Sequence, residues 1–151
     1  MTVFFYKREA EYGYLSNFSH HGFTLDGLYW PTSEHYFQAQ KFLDEAAREN
    51  VRLANNPSQA ARAGRNRELP IRDDWDSVRC KVMERAVYAK FSQNDDILRE
   101  LLSAGDEELV EDTRDDYFWG CGQDRTGENN LGKILMQVRE SLRLLEFREG
   151  G

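Results

Sequence analysis

Apolar positions along this chain fall into three patterns. In the first they recur at helical spacing. Trp75, Val78, Val82, Ala86 and Ala89, with Met83 and Val87 beside them, predict a long helix that opens at Asp73-Asp74-Trp75 and runs to about Gln93. Leu131, Ile134, Leu135, Val138, Leu142 and Leu145 form a stripe that predicts a last helix from about Asn130 to Phe147. Residues 148–151 then read as a frayed tail. Ile97, Leu98, Leu101 and Leu102 predict a shorter helix, capped by Asp95 or Asp96 and stopped at Gly105. Pro57 to Gly64 is an Ala-rich helix with Asn56 as cap, Pro57 in the first helical position and Gly64 at the end. In the second pattern, apolar and polar residues alternate. Gly22 to Trp30 does so around Asp26-Gly27, a strong hairpin signal. Val3 to Tyr6, rich in β-formers, reads as a short strand. The third pattern has no period and covers Leu109 to Gly132. These elements predict a mainly helical α+β domain with a small N-terminal antiparallel sheet, spanning residues 1–147 without repeat or linker.

The stretch Trp30 to Phe42, WPTSEHYFQAQKF, opens the first helix. Pro31 marks the entry and Thr32 or Ser33 can cap it. Residues 34–43 all tolerate a helix. At 3.6 residues per turn, Glu34, Gln38 and Lys41 share one face, with Phe37 beside them. Tyr36, Ala39, Gln40 and Leu43 point elsewhere, and that side is the expected core. A carboxylate, an amide and an ammonium in a row, flanked by aromatics, suit the polar wall of a pocket. The same row also reads as a Glu–Lys ladder on a half-exposed surface.

The chain has 151 residues, 40% of them hydrophobic and 13% aromatic, which suits one folded domain. Its net charge of −7 argues against coating nucleic acid by charge alone. Arg62, Arg65, Asn66, Arg67 and Arg72 nevertheless make a basic island, where one or two arginines can meet a phosphate. No apolar run is long enough to span a bilayer, the N-terminus lacks a signal-peptide layout, and the cytoplasm is the default expectation. Cys80 and Cys121 are expected as reduced thiols.

The unpatterned stretch gathers Glu111, Asp112, Asp115, Asp116, Trp119, four glycines, Asn129 and Asn130. A long loop of this kind in a small domain is usually functional. Trp119 can stack on a flat ring, and the carboxylates can hold hydroxyls or exchange protons. A solvated acidic loop pinned by Phe118 and Trp119 is the plainer reading. No phosphate-binding GxGxxG or GxxxxGK[ST] loop, HExxH or GxSxG occurs, and no metal or cofactor is expected. Carboxylate chemistry with ring stacking remains.

The segments SNF (16–18), WPTSEHYFQAQKF (30–42), DW (74–75), KF (90–91), LVE (109–111), DDYFWG (115–120) and NNLGKILMQVR (129–139) resemble, in order and spacing, the NADAR or YbiA-like family, from about residue 4 to residue 145. The resemblance implies a mainly helical fold and an N-glycosidase. It implies as substrate either an early riboflavin-pathway ribosylamino-pyrimidine phosphate or ADP-ribosylated guanine in nucleic acid. A reader that binds ADP-ribose without cleaving it is the alternative. Glu34, Lys41 and Asp116 are the expected catalytic residues. Asn17, Phe18, Trp30, Gln38, Asp112, Trp119, Gly120 and Asn130 are the expected substrate-binding set. Glu34 would stabilise the developing ribosyl cation or activate water, and Asp116, or in its place Asp112 or Glu111, would supply a proton or hold hydroxyls. Trp119, with Phe18 or Trp30, would sandwich the base. Lys41 would either pair with a phosphate or form a Schiff base with ring-opened ribose.

Overall fold

Asp26 and Gly27 both have positive φ, 55° and 78°. That is what a two-residue type I′ turn requires. It closes strands β2 (Phe23–Leu25) and β3 (Leu28–Trp30) into the expected antiparallel hairpin, with Phe23 opposite Trp30. The computed structural model describes residues 1–7 and 10–150, and these divide into two compact units, Asn17–Lys90 and Met1–Ser16 with Phe91–Gly151.

The first unit carries the hairpin, α1 (Ser33–Ala39), α2 (Glu45–Arg52), α3 (Pro57–Gly64) and most of α4 (Trp75–Ser92). Its core gathers Phe23, Trp30, Tyr36, Ala39, Phe42, Val51, Ala60 and Ala86. The alanines let helix backbones approach closely. Trp30 and Tyr36 meet edge to face at 5.0 Å. The Tyr36 hydroxyl donates to Asp26 at 2.8 Å, and Arg85 Nη2 reaches the other carboxylate oxygen at 2.7 Å. The turn is thus tied to α1 and α4. Asp26 lies below its usual pKa because the hydrogen bonds from Tyr36 and Arg85 outweigh its desolvation.

The structure corrects three readings here. α1 ends at Ala39, not Leu43, so Leu43 is 67% exposed rather than core. The polar face of α1 is buried as well as the apolar one. α2 was not read from the sequence. Its signals are the Asp44 cap, whose Oδ2 accepts from Ala47 N at 2.9 Å, and buried Ala47 and Val51 one turn apart.

The second unit pairs β1 (Thr2–Phe5) in parallel with β4 (Glu108–Glu111), Val3 opposite Leu109. β4 lies inside the stretch read as unpatterned. α5 (Asp95–Ser103) buries Ile97 and Leu101; its cap position is Asn94 rather than the expected Asp95 or Asp96, which fall inside its first turn, and Gly105 follows at φ 63°. α6 (Asn130–Gly150) buries Leu131, Ile134, Leu135, Val138 and Leu142. Leu145, expected in that stripe, is exposed, and the helix reaches Gly150; the last residue of the tail expected to fray, Gly151, lies outside the described residues.

Two outcomes follow from the packing. A Cβ on Gly64 would lie 2.1 Å from Gln38 Oε1 and 2.7 Å from Gln38 Cβ. Gly64→Ala should therefore destabilise by about 1–3 kcal/mol in urea unfolding. Stabilisation by up to about 1 kcal/mol, the helix-propensity gain, would show that no close approach exists. Lys90 is 1% exposed, and burial lowers its pKa to about 7. Between that value and the ordinary lysine value the unfolded chain binds the extra proton, so this residue makes stability rise with pH from about 7 to 10. Lys90→Met should remove that rise in unfolding free energies measured across the window; an unchanged slope would contradict the assignment.

Candidate functional site

The start of α1 is fixed by hydrogen bonds on both sides. Thr32 Oγ1 caps the helix by accepting from His35 N at 3.2 Å. His35 Nε2 donates to Ala54 O at 3.0 Å, which leaves Nδ1, 2.8 Å from Thr32 Oγ1, as the acceptor of the neutral ring. Burial lowers the His35 pKa and keeps it neutral. Asn17 braces the same turn. Its carbonyl accepts from Glu34 N at 3.2 Å, its Oδ1 accepts from Ser33 Oγ at 2.8 Å, and its Nδ2 faces Met83 Sδ at 3.4 Å. Asn17 therefore positions Glu34 through the backbone.

Glu34 is 8% exposed. Its Oε2 accepts from Gln38 Nε2 at 2.8 Å. Burial raises its pKa, against the lowering pull of Gln38, Arg65 and Lys41. Lys41 is half-buried and donates from Nζ to Gly64 O at 3.4 Å. Burial lowers its pKa; Glu34 opposes this, and Arg65 and Arg67 reinforce it. An acid raised and an ammonium lowered by the same burial leave a smaller proton-affinity gap between them than in water. Gln38 Oε1, also buried, has no hydrogen-bond partner among the described residues.

Beside this group in the same unit lies a cleft of about 970 Å³, lined by Phe18, Gln59, Arg62, Arg65, Asn66 and Arg67 among others. Four members of the basic island, Arg62, Arg65, Asn66 and Arg67, thus share one cavity. Arg72 does not, because it forms two hydrogen bonds to Asp74, at 2.6 and 3.0 Å. Sequence reasoning found the island but did not place Arg65 beside Glu34 and Lys41. The signal was available: Gly64 ends α3 and Arg65 follows at its C-cap.

Trp30 belongs to the core. It is 2% exposed, its Nε1 donates to Leu25 O at 2.9 Å, and its ring meets Tyr36 edge-on. The expected role for Trp30 in sandwiching a base is therefore corrected: no ring face is open to a ligand.

Asp112, Asp116, Trp119 and Gly120 lie in the loop of the other unit, and Asn130 opens α6 at its end. Asp116 Oδ1 accepts from Phe118 N at 2.9 Å and Trp119 N at 2.8 Å. That carboxylate oxygen shapes the turn that presents Trp119. Phe118 and Trp119 pack edge to face at 4.8 Å. Asn130 Nδ2 donates to Phe118 O at 2.9 Å, and Gly120 O accepts from Asn129 N at 3.0 Å. Asp112 Oδ1 receives the Cys121 thiol at 3.6 Å. A Cβ on Gly120 would come within 2.9 Å of Glu111 O, so glycine is required there. Each of these residues holds the loop in shape. Among the described residues no group of three or more His, Cys, Asp or Glu is placed to hold a metal ion, and no helix is long and apolar enough to cross a membrane.

Known proteins resemble this arrangement over nearly its whole length. The N-glycosidase YbiA of Escherichia coli K12 is 48% identical over 138 residues, covering 91% of this chain and 86% of its own. An N-glycosidase of Nostoc punctiforme is 47% identical over 148 residues, covering 96% and 95%. A riboflavin biosynthesis protein of Vibrio vulnificus is 44% identical over 140 residues, 93% of this chain but 38% of that one. The NMR structure of E. coli YbiA superposes with a TM-score of 0.89 at 45% identity, covering 97% of this chain and 87% of that one. The NADAR domain family model matches residues 4–143, and the chain belongs to that family.

Proposed function

We propose that this protein is an N-glycosidase that hydrolyses the bond between ribose C1 and the nitrogen of a base in a phosphorylated ribosyl compound. The observation that carries the reading is the placement of buried Glu34, held by Gln38, and half-buried Lys41, held at Gly64, beside a cleft lined by arginines, each of the two acting electrostatically on the other. The names of the YbiA and Nostoc relatives support the same reaction class.

The chemistry follows from that pair. Glu34, as the carboxylate, takes a proton from the Lys41 ammonium through an intervening water, a transfer that the opposite shifts of the two groups make less costly than in bulk water. The Lys41 amine attacks C1, the C1–Nζ bond forms, and the C1–N bond to the base breaks. The bonding electrons leave with the base nitrogen, which takes the proton from Glu34. The ribosyl-lysine opens to an imine, and water hydrolyses it to free the sugar and Lys41. Of the two roles open to Lys41, nucleophile is preferred because the arginines beside it can take the phosphate and also lower its pKa. Gln38 holds Glu34 by one hydrogen bond and keeps a buried acceptor for a sugar hydroxyl.

A ribosylamino-pyrimidine phosphate is preferred as substrate over ADP-ribosylated guanine in nucleic acid. The net charge of −7 disfavours a polyanion, and the Vibrio relative bears a riboflavin biosynthesis name.

Two outcomes test the roles. Glu34→Gln should lower turnover by about 1,000-fold or more, within the range for losing an essential acid–base group, while thermal unfolding and ligand binding persist. Wild-type turnover in that variant would remove Glu34 from the mechanism. Borohydride added during turnover should leave a ribosyl adduct on Lys41, seen as a mass shift in its peptide, and Lys41→Arg should show none. Turnover without any trapped adduct would return Lys41 to phosphate binding.

A further inference from the structure

We infer that the cleft formed by Arg62, Arg65 and Arg67, with Phe18 in its wall, is the anion subsite that receives the phosphate end of the substrate. The inference rests on the N-glycosidase reading for what the anion is attached to, and on the cleft for its place. Arg62 lies in the last turn of α3, Arg65 is its C-cap residue, and Arg67 follows in the loop. All three line one cavity of about 970 Å³. Among the described residues none of the three forms an ion pair, whereas Arg52, Arg72, Arg85 and Arg143 each hold a carboxylate. Three arginines thus line one cavity without an ion pair among the described residues, in a protein of net charge −7.

The opposing fields are the Glu34 carboxylate, which Arg65 feels, and the C-terminal end of α3, about half a negative charge, and the three guanidinium groups exceed the two together. Two of its carbonyls, those of Ala61 and Ala63, are already capped by Arg65 N and Asn66 N at 3.1 and 3.2 Å. A guanidinium meets two phosphate oxygens at once, which a single lysine ammonium does not. Arg65 also acts electrostatically on both Glu34 and Lys41, and Arg67 on Lys41, so the cleft adjoins the reacting pair. A phosphorylated ribose with its phosphate on the arginines therefore lies within reach of Lys41. Phe18 supplies a flat apolar surface in the same cavity.

The test is calorimetric titration of the full chain with ribose 5-phosphate, ribose and ADP-ribose. The variants are Arg62→Gln/Arg65→Gln/Arg67→Gln, the same three positions changed to Lys, and Glu34→Gln. The arginines are exposed, so the variants should unfold at the wild-type temperature. Ribose 5-phosphate should bind, ribose should bind at least about tenfold more weakly, and the affinity for the phosphate ester should fall with added salt. The glutamine variant should bind ribose 5-phosphate at least about a hundredfold more weakly than wild type, and the lysine variant should fall between the two. Tighter binding of ADP-ribose would identify a diphosphate as the anion, and tighter binding of ribose 5-phosphate a monoester; either supports the subsite. Wild-type affinity in the glutamine variant, or equal binding of ribose, would overturn it. The two readings fail separately. If the glutamine variant keeps wild-type KM and turnover, the subsite is wrong and the glycosidase stands. If wild-type protein and Glu34→Gln bind ribose 5-phosphate equally but neither the wild type nor any variant cleaves a ribosyl-base, the subsite stands without the glycosidase.

Discussion

Burying a carboxylate in a short helix is the constraint on which the proposed chemistry depends. An ionised carboxylate leaves water at a cost that hydrogen bonds and opposite charges must offset. Glu34 has one side-chain hydrogen bond, from Gln38, and the fields of Arg65 and Lys41, and its pKa still ends above the ordinary carboxylate value. Its position is held by Asn17 and by the Thr32 cap, groups that fix the backbone and leave one carboxylate oxygen to a ligand. The close approach of α3 at Gly64 completes the burial and brings Lys41 under the same desolvation. One packing arrangement thus raises the acid and lowers the amine.

The loop of the second unit obeys a different logic. Three of its polar side chains are occupied with backbone: Asp116 with two N–H groups, Asn129 with Leu109 O and Glu111 N, Asn130 with Phe118 O. Asn129 adopts a φ of 52°, a conformation that asparagine tolerates better than most side chains. Polar residues of this kind read as chemistry in a sequence and as scaffolding in a structure.

What the sequence disclosed follows from the range of each interaction. The hairpin, α3, α4 and α6 carry their instructions within a few residues: a turn dipeptide, a cap, a repeat of apolar positions. α2 was missed because it buries little beyond Ala47 and Val51, and so shows almost no stripe. β4 was missed because its partner, β1, is about a hundred residues away, and a four-residue strand has no period of its own. The shared face of Glu34, Gln38 and Lys41 followed from helical spacing, although Lys41 lies just beyond the helix end. Its burial did not, because α3 covers it from a distant part of the chain. Trp30 was misread for the same reason: an aromatic beside polar residues suggests stacking until Tyr36 and Leu25 are seen to enclose it.

The account is tested most directly by mass-spectrometric product analysis. The purified protein would be offered a ribosylamino-pyrimidine phosphate and an ADP-ribosylated guanine oligonucleotide side by side. The account predicts release of ribose 5-phosphate and free base from the first, faster than release of ADP-ribose from the second. If neither is cleaved while free ADP-ribose binds, the protein is a reader and not a glycosidase, and buried Glu34 and half-buried Lys41 serve recognition instead.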